Sequence, residues 1–458
     1  MKIDVLVAEI GSTTTVVNAF DGINTPNPVY IGQGIAPTSV LQGDVRIGLK
    51  ESIEDLKNKL NIETLEYNEM FATSSAAGGL KMTVHGLVYD MTARAAKEAA
   101  LGAGGIIHMV TAGKIRNSDL QKLVDKKPNI ILIAGGVDYG ERETALSNAE
   151  KIKSLNLTIP VIYAGNVENI DEIRELFKDS KQELYIVDNV FPKIDELNVE
   201  PTRKVIQDVF EKHIVHAPGM EYIYEIINGK ITPTPAAVMN LGKLIYEKIG
   251  DVLLVDVGGA TTDLHTVTEG REEIRRIQIS PEPIAKRTVE GDLGVYVNME
   301  NIISIIGEEQ LIKEGFDLNS LRENYKAIPK NADEVAFVER LTYTAALTAL
   351  HRHAGRLRYV YGPTGRSTLA EGKDLSDIKY VIGTGGALTQ LPKGEDILAK
   401  IVEPDEASTL LLPKGYPTIL TDSHYIIASL GVLAYKYQDA TIKLLENSLG
   451  FKFPIKER

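Results

Sequence analysis

Hydrophobic positions near the start of the chain come in runs that end at small polar turns. Residues 3–10 are apolar except at Asp4 and Glu9, as in a buried strand. A polar turn over residues 11–15 follows, Val16-Val17-Asn18-Ala19-Phe20 returns as a second strand, and Asp21-Gly22 closes it. PVYIGQGI supplies a third strand. Residues 43–60 then show helical spacing, with Val45, Leu49, Ile53, Leu56 and Leu60 on one face. This β-β-β-α order departs from the strand–helix alternation of a simple nucleotide-binding α/β fold.

The pattern changes over residues 76–215. NIILIAGG (129–136), IPVIYAGN (159–166) and ELYIVDN (183–189) are apolar runs ending in glycine or asparagine, separated by charged, helix-like stretches. Short strands spaced this way predict a parallel α/β unit, in which ligands or partners dock at the loops after the strands. Upstream, MTARAAKEAALGAGG (91–105) predicts an alanine-rich helix stopped by glycines. After HAPGMEYIY, PTPAAVMNLGKLIYEKIG predicts a helix led in by prolines. The strand-and-glycine segment DIKYVIGTGGAL and a small-residue helix, SHYIIASLGVLAY, come later.

One segment occurs twice. DVLVAEIGSTTTV (4–16) and DVLLVDVGGATTD (251–263) match at six of thirteen positions, and Glu9 and Ile10 are replaced by Asp256 and Val257 within their chemical class. A tight turn between two strands can point successive backbone N–H groups into one concavity. Glycine there lets the chain approach an anion, and hydroxyls add donors. A carboxylate just before the turn would repel phosphate unless a cation lay between them, and magnesium, with its oxygen ligands and retained waters, resolves that conflict. Two such turns facing each other across a cleft would grip the β- and γ-phosphates of a nucleotide. In YVIGTGGAL (380–388) an apolar strand leads into glycines that let a purine and ribose lie against backbone. No G-x-x-x-x-G-K-[ST] loop occurs.

Composition narrows the chemistry. The chain has 458 residues, enough for two or three domains, and 43% of them are hydrophobic. It contains no cysteine, which excludes disulfides, thiolate metal sites and cysteine-ligated iron–sulfur clusters, and fits a reducing cytoplasm. A net charge of −13 argues against a nucleic-acid backbone as main partner. No apolar run approaches the roughly 18 residues that span a membrane, and no signal peptide is expected. His213/His216 and His351/His353 lack the spacing and nearby acids of zinc patterns.

The three motifs AEIGSTTT, VDVGGATTD and IGTGGAL together resemble those of the acetate and sugar kinase/Hsp70/actin superfamily. That resemblance implies a duplicated actin/Hsp70-like α/β ATPase fold, with two domains around a nucleotide cleft and an inserted parallel α/β region. The implied limits are residues 1–75 for the first segment of domain I, 76–215 for the insertion, 216–250 for the end of domain I and a connecting helix, and 251–458 for domain II. PTPAAVMNLGKLI and DSHYIIASLGVLAY would match the superfamily's two connecting helices. Small residues in them (Ala236, Ala237, Gly242; Ala428, Ser429, Gly431) would allow close crossing and hinge motion, or simply pack.

By the same resemblance, Glu9 and Asp256 would hold Mg2+ through water, and one of them would orient the attacking water. Gly11, Ser12, Thr13 and Thr14, with Gly258, Gly259, Ala260 and Thr261, would donate to ATP phosphates. Gly383, Gly385 and Gly386 would lie at the adenosine. Asp263 is a second candidate for positioning water, or else caps or pairs within its strand. Superfamily members place a lysine or arginine near the first turn, but none occurs here between Gly11 and Asp21. Hydrolysis would then be slow, or completed by a partner or by a distant arginine such as Arg352 or Arg356. HRHAGRLR otherwise reads as a basic helix face.

A narrower resemblance rests on APTSVLQGDVRIGL, FATSSAAGGLKM, LIAGGVDYGERETALSNAE, PVIYAGN and RHAGRLRYVYGPTG. As a set these look like the glutamate mutase accessory family, often called GlmL or MutL and unrelated to mismatch-repair proteins. It implies a cytoplasmic, ATP-driven reactivating chaperone for an adenosylcobalamin-dependent mutase, with the insertion as a natural partner surface; whether the chain forms a homo-oligomer is left open by the sequence. A small-molecule kinase and a nucleotide-gated scaffold are the alternatives on the same clamp. Iron–sulfur activator ATPases share a similar first motif but need cysteines.

Overall fold

The computed structural model describes residues 1–75, 80–214, 219–363, 365–405 and 407–454. Residues 76–79 of FATSSAAGGLKM, residues 215–218 including His216, and position 364 of RHAGRLRYVYGPTG lie outside the described residues. The chain divides into two compact units. One comprises Met1–Asp21, Ile31–Ala237 and Ser280–Pro283, and the other Gly22–Tyr30, Val238–Ile279 and Ile284–Arg458.

In chain order, the first part holds strands β1 (Lys2–Ile10), β2 (Thr14–Asp21) and β3 (Val29–Pro37), helix α1 (Val45–Leu60) and strand β4 (Glu66–Ser74). Then come β5 (Leu80–Gly86), α2 (Arg94–Gly102), β6 (Gly105–Ala112), α3 (Asn117–Lys126), β7 (Ile130–Ile133), α4 (Glu143–Ser154), β8 (Val161–Tyr163), α5 (Ile170–Phe177), β9 (Leu184–Ile186) and α6 (Glu200–His213). Strand β10 (Ile231–Pro233) and helix α7 (Thr234–Ile249) follow. Helix α1 starts where Asp44 accepts a hydrogen bond from the Arg46 N–H, and stops at Asn61 in the left-handed region. The face predicted for it is the one it buries, through Val45, Leu49 and Leu56.

Strands β10, β4, β1, β2 and β3 lie side by side in that order, with β1 antiparallel to β2 and parallel to β4, and β4 parallel to β10. The insertion between β4 and β10 builds its own sheet, β6-β5-β7-β8-β9, parallel throughout. Ile130, Leu132 and Ile162 pack on the alanines of α2 and on Ile206 and Val209 of α6. Ile131, Ile133, Val161 and Tyr163 pack on the other side, against α3, α4 and α5 residues such as Leu123, Ala149 and Ile173. Covering on both faces explains the unbroken apolar runs. Order of appearance 2-1-3-4-5 is a doubly wound arrangement, whose ligand crevice lies outside the carboxyl ends of its first and third strands.

The other unit contains β11 (Val252–Val257), β12 (Thr262–Val267), β13 (Ala285–Glu290), β14 (Arg356–Gly362), β15 (Gly365–Glu371), β16 (Tyr380–Thr384) and β17 (Thr418–Thr421). Its main sheet runs β13-β12-β11-β16-β17, with β11 antiparallel to β12 and parallel to β16, and β16 parallel to β17. With the insertion and the β14–β15 pair set aside, both units carry strands in the order third, second, first, fourth, fifth, the first antiparallel to the second and parallel to the fourth, and the fourth parallel to the fifth. This is the duplicated actin/Hsp70-like ATPase fold. The long helix Ala332–His353 packs Phe337, Leu341, Ala345 and Ala349 in the core of this unit. No helix among the described residues is long and apolar enough to cross a membrane.

One expectation fails. HRHAGRLR is not a helix face: the helix ends at His353, and Arg356 already belongs to β14. The chain must leave the helix because Gly355 pairs with other backbone, donating to Lys373 O at 2.6 Å and accepting from Leu411 N–H at 2.7 Å. His353 itself is buried, with its Nε2 2.9 Å from Thr266 Oγ1.

Candidate functional site

The two copies of the repeated segment fold into hairpins of the same register. In the first, Glu9 stands opposite Val16 and Ile10 opposite Thr15. In the second, Asp256 stands opposite Asp263 and Val257 opposite Thr262. Each turn is closed by the same hydrogen bond, Gly11 N–H to Thr14 O and Gly258 N–H to Thr261 O, both 2.9 Å. An identical register around an identical turn means that one backbone solution serves both positions.

In each unit, the segment leaving the third strand braces the turn. Thr38, just after β3, donates its N–H to Thr13 O at 3.0 Å. After β13, Val295 N–H reaches Gly258 O at 3.2 Å, and Tyr296 and Val297 N–H both reach Gly259 O. Asn298 Nδ2 donates to Ala260 O at 2.9 Å, and Thr262 Oγ1 donates to Leu293 O at 2.7 Å. Gly294 lies so close to Ala260 that a Cβ would fall 2.1 Å from its carbonyl carbon. The turn's carbonyls are thus engaged from behind. Among the described residues, no protein acceptor takes the N–H groups of Gly259 or Ala260. An arrangement that occupies carbonyls and leaves N–H groups open favours an anion.

The acidic positions differ in their surroundings. Glu9 is 8% exposed and accepts from Asn18 Nδ2 at 3.2 Å, while Asn18 Oδ1 accepts from Gln33 Nε2 at 2.9 Å. Asp263 is gripped by Arg287, whose Nε and Nη2 lie 2.9 and 2.5 Å from Oδ1. Thr261 Oγ1 donates to the other oxygen, Oδ2, at 2.9 Å. Arg287 is 1% exposed, so this ion pair is fully buried behind the second turn. His265 stands opposite Arg287 in the register, and burial holds its imidazole down to about 3.

The third motif joins the second within one sheet: Asp256 pairs with Thr384 and Val255 with Gly383. Gly385 has φ +84°, and a Cβ there would sit 2.5 Å from both Asp256 Oδ1 and Val257 O. Only glycine fits. Gly386, by contrast, faces open space. Thr384 Oγ1 donates to Asp422 Oδ2 at 3.1 Å, and the same oxygen accepts the N–H groups of Ile426 and Ile427 at 2.8 Å. Asp422 thereby ties the glycine loop to the helix Ile427–Leu433, where Ala428, Ser429 and Gly431 are buried. Ala236, Ala237 and Gly242 lie on α7, and Asn240 of that helix bonds Tyr435 beyond the late helix.

Sequence reasoning missed Arg287, Asp422 and the bracing segment 293–298. A charged pair inside the strand AKRTVE was the one available signal for Arg287. Neither arginine named as a distant cation is poised for that role here. Arg352 Nη1 pairs with Glu290 at 2.6 Å and Asp292 at 2.8 Å, and Arg356 lies 3.8 Å from Glu371. The Arg352 guanidinium holds Asp292 below the usual carboxylate range, while burial raises Glu290.

Among the described residues no group of three acids or histidines could cage a metal. The first hairpin carries one carboxylate beside its turn, Glu9, and the second carries two, Asp256 and Asp263.

Comparison with known proteins gives one strong match over the chain's length. Protein MutL of Clostridium tetanomorphum is 34% identical over 464 residues, covering 97% of this chain and 98% of that protein. Solved structures align broadly at low similarity. A diol dehydratase-reactivating factor in nucleotide-free form is 11% identical at a TM-score of 0.37, covering 95% of this chain and 99% of its own. Nucleotide-free acetone carboxylase is 11% identical at 0.42, covering 94% and 70%. The family model described as MutL protein matches residues 5–449. The chain belongs to the MutL protein family.

Proposed function

We propose that this protein is an ATP-dependent reactivating chaperone for an adenosylcobalamin-dependent mutase, glutamate mutase being the partner that the family resemblance implies. The observation that carries the nucleotide part is the pair of hairpins with one register and one turn hydrogen bond. Membership of the MutL protein family carries the accessory part.

In this reading Gly11, Ser12, Thr13 and Thr14 of one turn, and Gly258, Gly259, Ala260 and Thr261 of the other, donate to ATP phosphates. Glu9 and Asp256 hold Mg2+ through water, and the ion neutralises phosphate charge. Asp256 orients the attacking water. Asp263, held by Arg287, fixes the hydroxyl of Thr261 and so the shape of the second turn. Gly383, Gly385 and Gly386 accommodate the adenosine. Hydrolysis shifts a two-state equilibrium that α7 and the late helix transmit, and the bound mutase releases or exchanges its inactivated cobalamin. The loops at the carboxyl ends of the inserted sheet offer a partner surface.

The test is magnesium-dependent ATP hydrolysis with and without cobalamin-inactivated glutamate mutase, following return of mutase activity on addition of adenosylcobalamin. Turnover that rises with the damaged mutase, and activity restored only with ATP, is the expected result. ATP binding with neither response rejects this partner.

A further inference from the structure

Among the described residues, the segment RLRYVYGPTGRSTLAE supplies the one two-stranded sheet, distinct from the three five-stranded ones. Its base is anchored. Leu357 N–H donates to Thr409 O at 2.8 Å, Ile279 N–H to Ala370 O at 2.9 Å, and Leu357 packs on the small cluster of Ile274, Ala370 and Leu411. Beyond Leu357 and Ala370 the strands pair only with each other among the described residues. An isolated two-stranded hairpin gains little from its own contacts in water, so its outer half is held out by its base.

The outer half presents the wrong residues for idle surface. Tyr359, Val360 and Tyr361 are 45%, 48% and 77% exposed. Tyr361 stands opposite Arg366, and Tyr359 opposite Thr368, so Tyr359, Tyr361 and Arg366 share one face. The Arg366 guanidinium lies 4.6 Å from the Tyr359 ring centroid, which stiffens both side chains before any partner arrives. Arg358 sits on the opposite face, 3.2 Å from Glu371. The segment contains three arginines, two tyrosines, one acid and no lysine, on a chain whose net charge is −13. Tyrosine and arginine enriched with lysine depleted is the composition of protein–protein contact patches.

We propose that the β14–β15 hairpin is a docking arm that engages a carboxylate-bearing surface of a protein partner. Charge complementarity selects the occupant. A local acidic patch meets the arginines, whereas a long nucleic-acid polyanion would also meet the acidic body of the chain. The tyrosines supply rigid apolar area that desolvates the charge pairs. Resting on the function proposed above, the inference takes the mutase as the protein that bears this patch.

The experiment measures binding of the full chain to glutamate mutase carrying inactivated cobalamin, for the wild type, the double variant Arg358→Glu/Arg366→Glu, and Tyr361→Ala. The double variant is expected to bind about tenfold or more weakly and Tyr361→Ala several-fold more weakly. Wild-type affinity should fall between about 50 and about 300 mM salt, with a flatter dependence in the double variant. Basal ATP hydrolysis and the thermal midpoint should stay at wild-type values in both variants. If both variants bind the mutase as the wild type does, the arm is overturned and the chaperone reading stands. If the wild type does not bind the mutase, both fall. Self-association, or binding of a nucleic-acid oligomer, that the double variant abolishes while mutase binding is unchanged replaces the proposed occupant and overturns the inference.

Discussion

Asp256 and Asp263 stand directly opposite each other in the second hairpin, where the first hairpin sets Glu9 against Val16. Like charges so placed destabilise a sheet. The fold offsets this with Arg287, which is buried and binds Asp263 Oδ1 through two nitrogens. The two halves share a strand register but differ in their charges, and the second carries a carboxylate–guanidinium pair behind its turn.

Replacing Arg287 by methionine strands Asp263 in the interior. The expected loss is about 3–5 kcal/mol, because an unpaired buried charge costs more than the pair contributes. Adding Asp263→Leu should recover much of it. Urea unfolding of the two variants checks this. Equal stability of both would mean that the pair is solvated in solution.

Asp256→Asn and Glu9→Gln test the acid positions. Each is expected to lower ATP turnover by about 100-fold or more while the chain remains folded. Asp256 should be the more damaging site, since it borders Gly385 and the second turn. Chelating magnesium should abolish the rise in thermal midpoint that ATP produces. Turnover unchanged in Asp256→Asn would remove that residue from the chemistry.

Gly385→Ala places a methyl group against the Asp256 carboxylate and the Val257 carbonyl, in a backbone region unfavourable to alanine. It is expected to weaken ATP binding by about tenfold and to destabilise the fold by about 1–3 kcal/mol. Gly386→Ala has room for its methyl in the fold and serves as the control for stability, while its own ATP affinity tests the proposed adenosine contact. Calorimetric titration with ATP distinguishes the two.

Acid should unfold the protein through its histidines. Burial lowers His85 to about 4 and His265 to about 3, and holds His353 well below 6.5. The unfolded chain regains ordinary imidazoles, so below about pH 6.5 it binds protons that the folded chain refuses. Stability is therefore full above that pH and lost as pH falls toward 4. The limiting slope is about 1.4 kcal/mol per pH unit for each histidine. Denaturation midpoints measured across this range should show it, and His85→Gln should make the slope shallower.

Much of this architecture was legible in the chain. The repeat announced both hairpins because their turns need the same small residues at the same spacing, and the runs around Ile131 and Ile162 announced strands buried on two faces. Strands β5 and β6 were not anticipated, since LKMTVHG mixes polar residues into its core face and GIIHMVTA lies half-buried at the sheet edge. The β14–β15 hairpin was hidden behind HRHAGRLR, where a helix end and a strand start share one basic composition. Arg287 and Asp422 were invisible for a different reason. Each has a side-chain partner at least 24 positions away, and a single sequence shows no such pairing.

Strand β10 has a consequence for how the protein is made. It completes its sheet against β4, with Ile231 beside Ala72, and Asn228 Oδ1 holds the Met70 N–H from 158 positions along the chain. A chain emerging from the ribosome therefore holds β4 as an open edge until the whole insertion has passed. Exposed edges recruit other strands, and contacts so distant in sequence form slowly. The insertion, with its local strand–helix–strand contacts, can fold in the interval and bring the two ends of the gap together. Variants that slow its folding should aggregate during synthesis even where the finished protein would be stable.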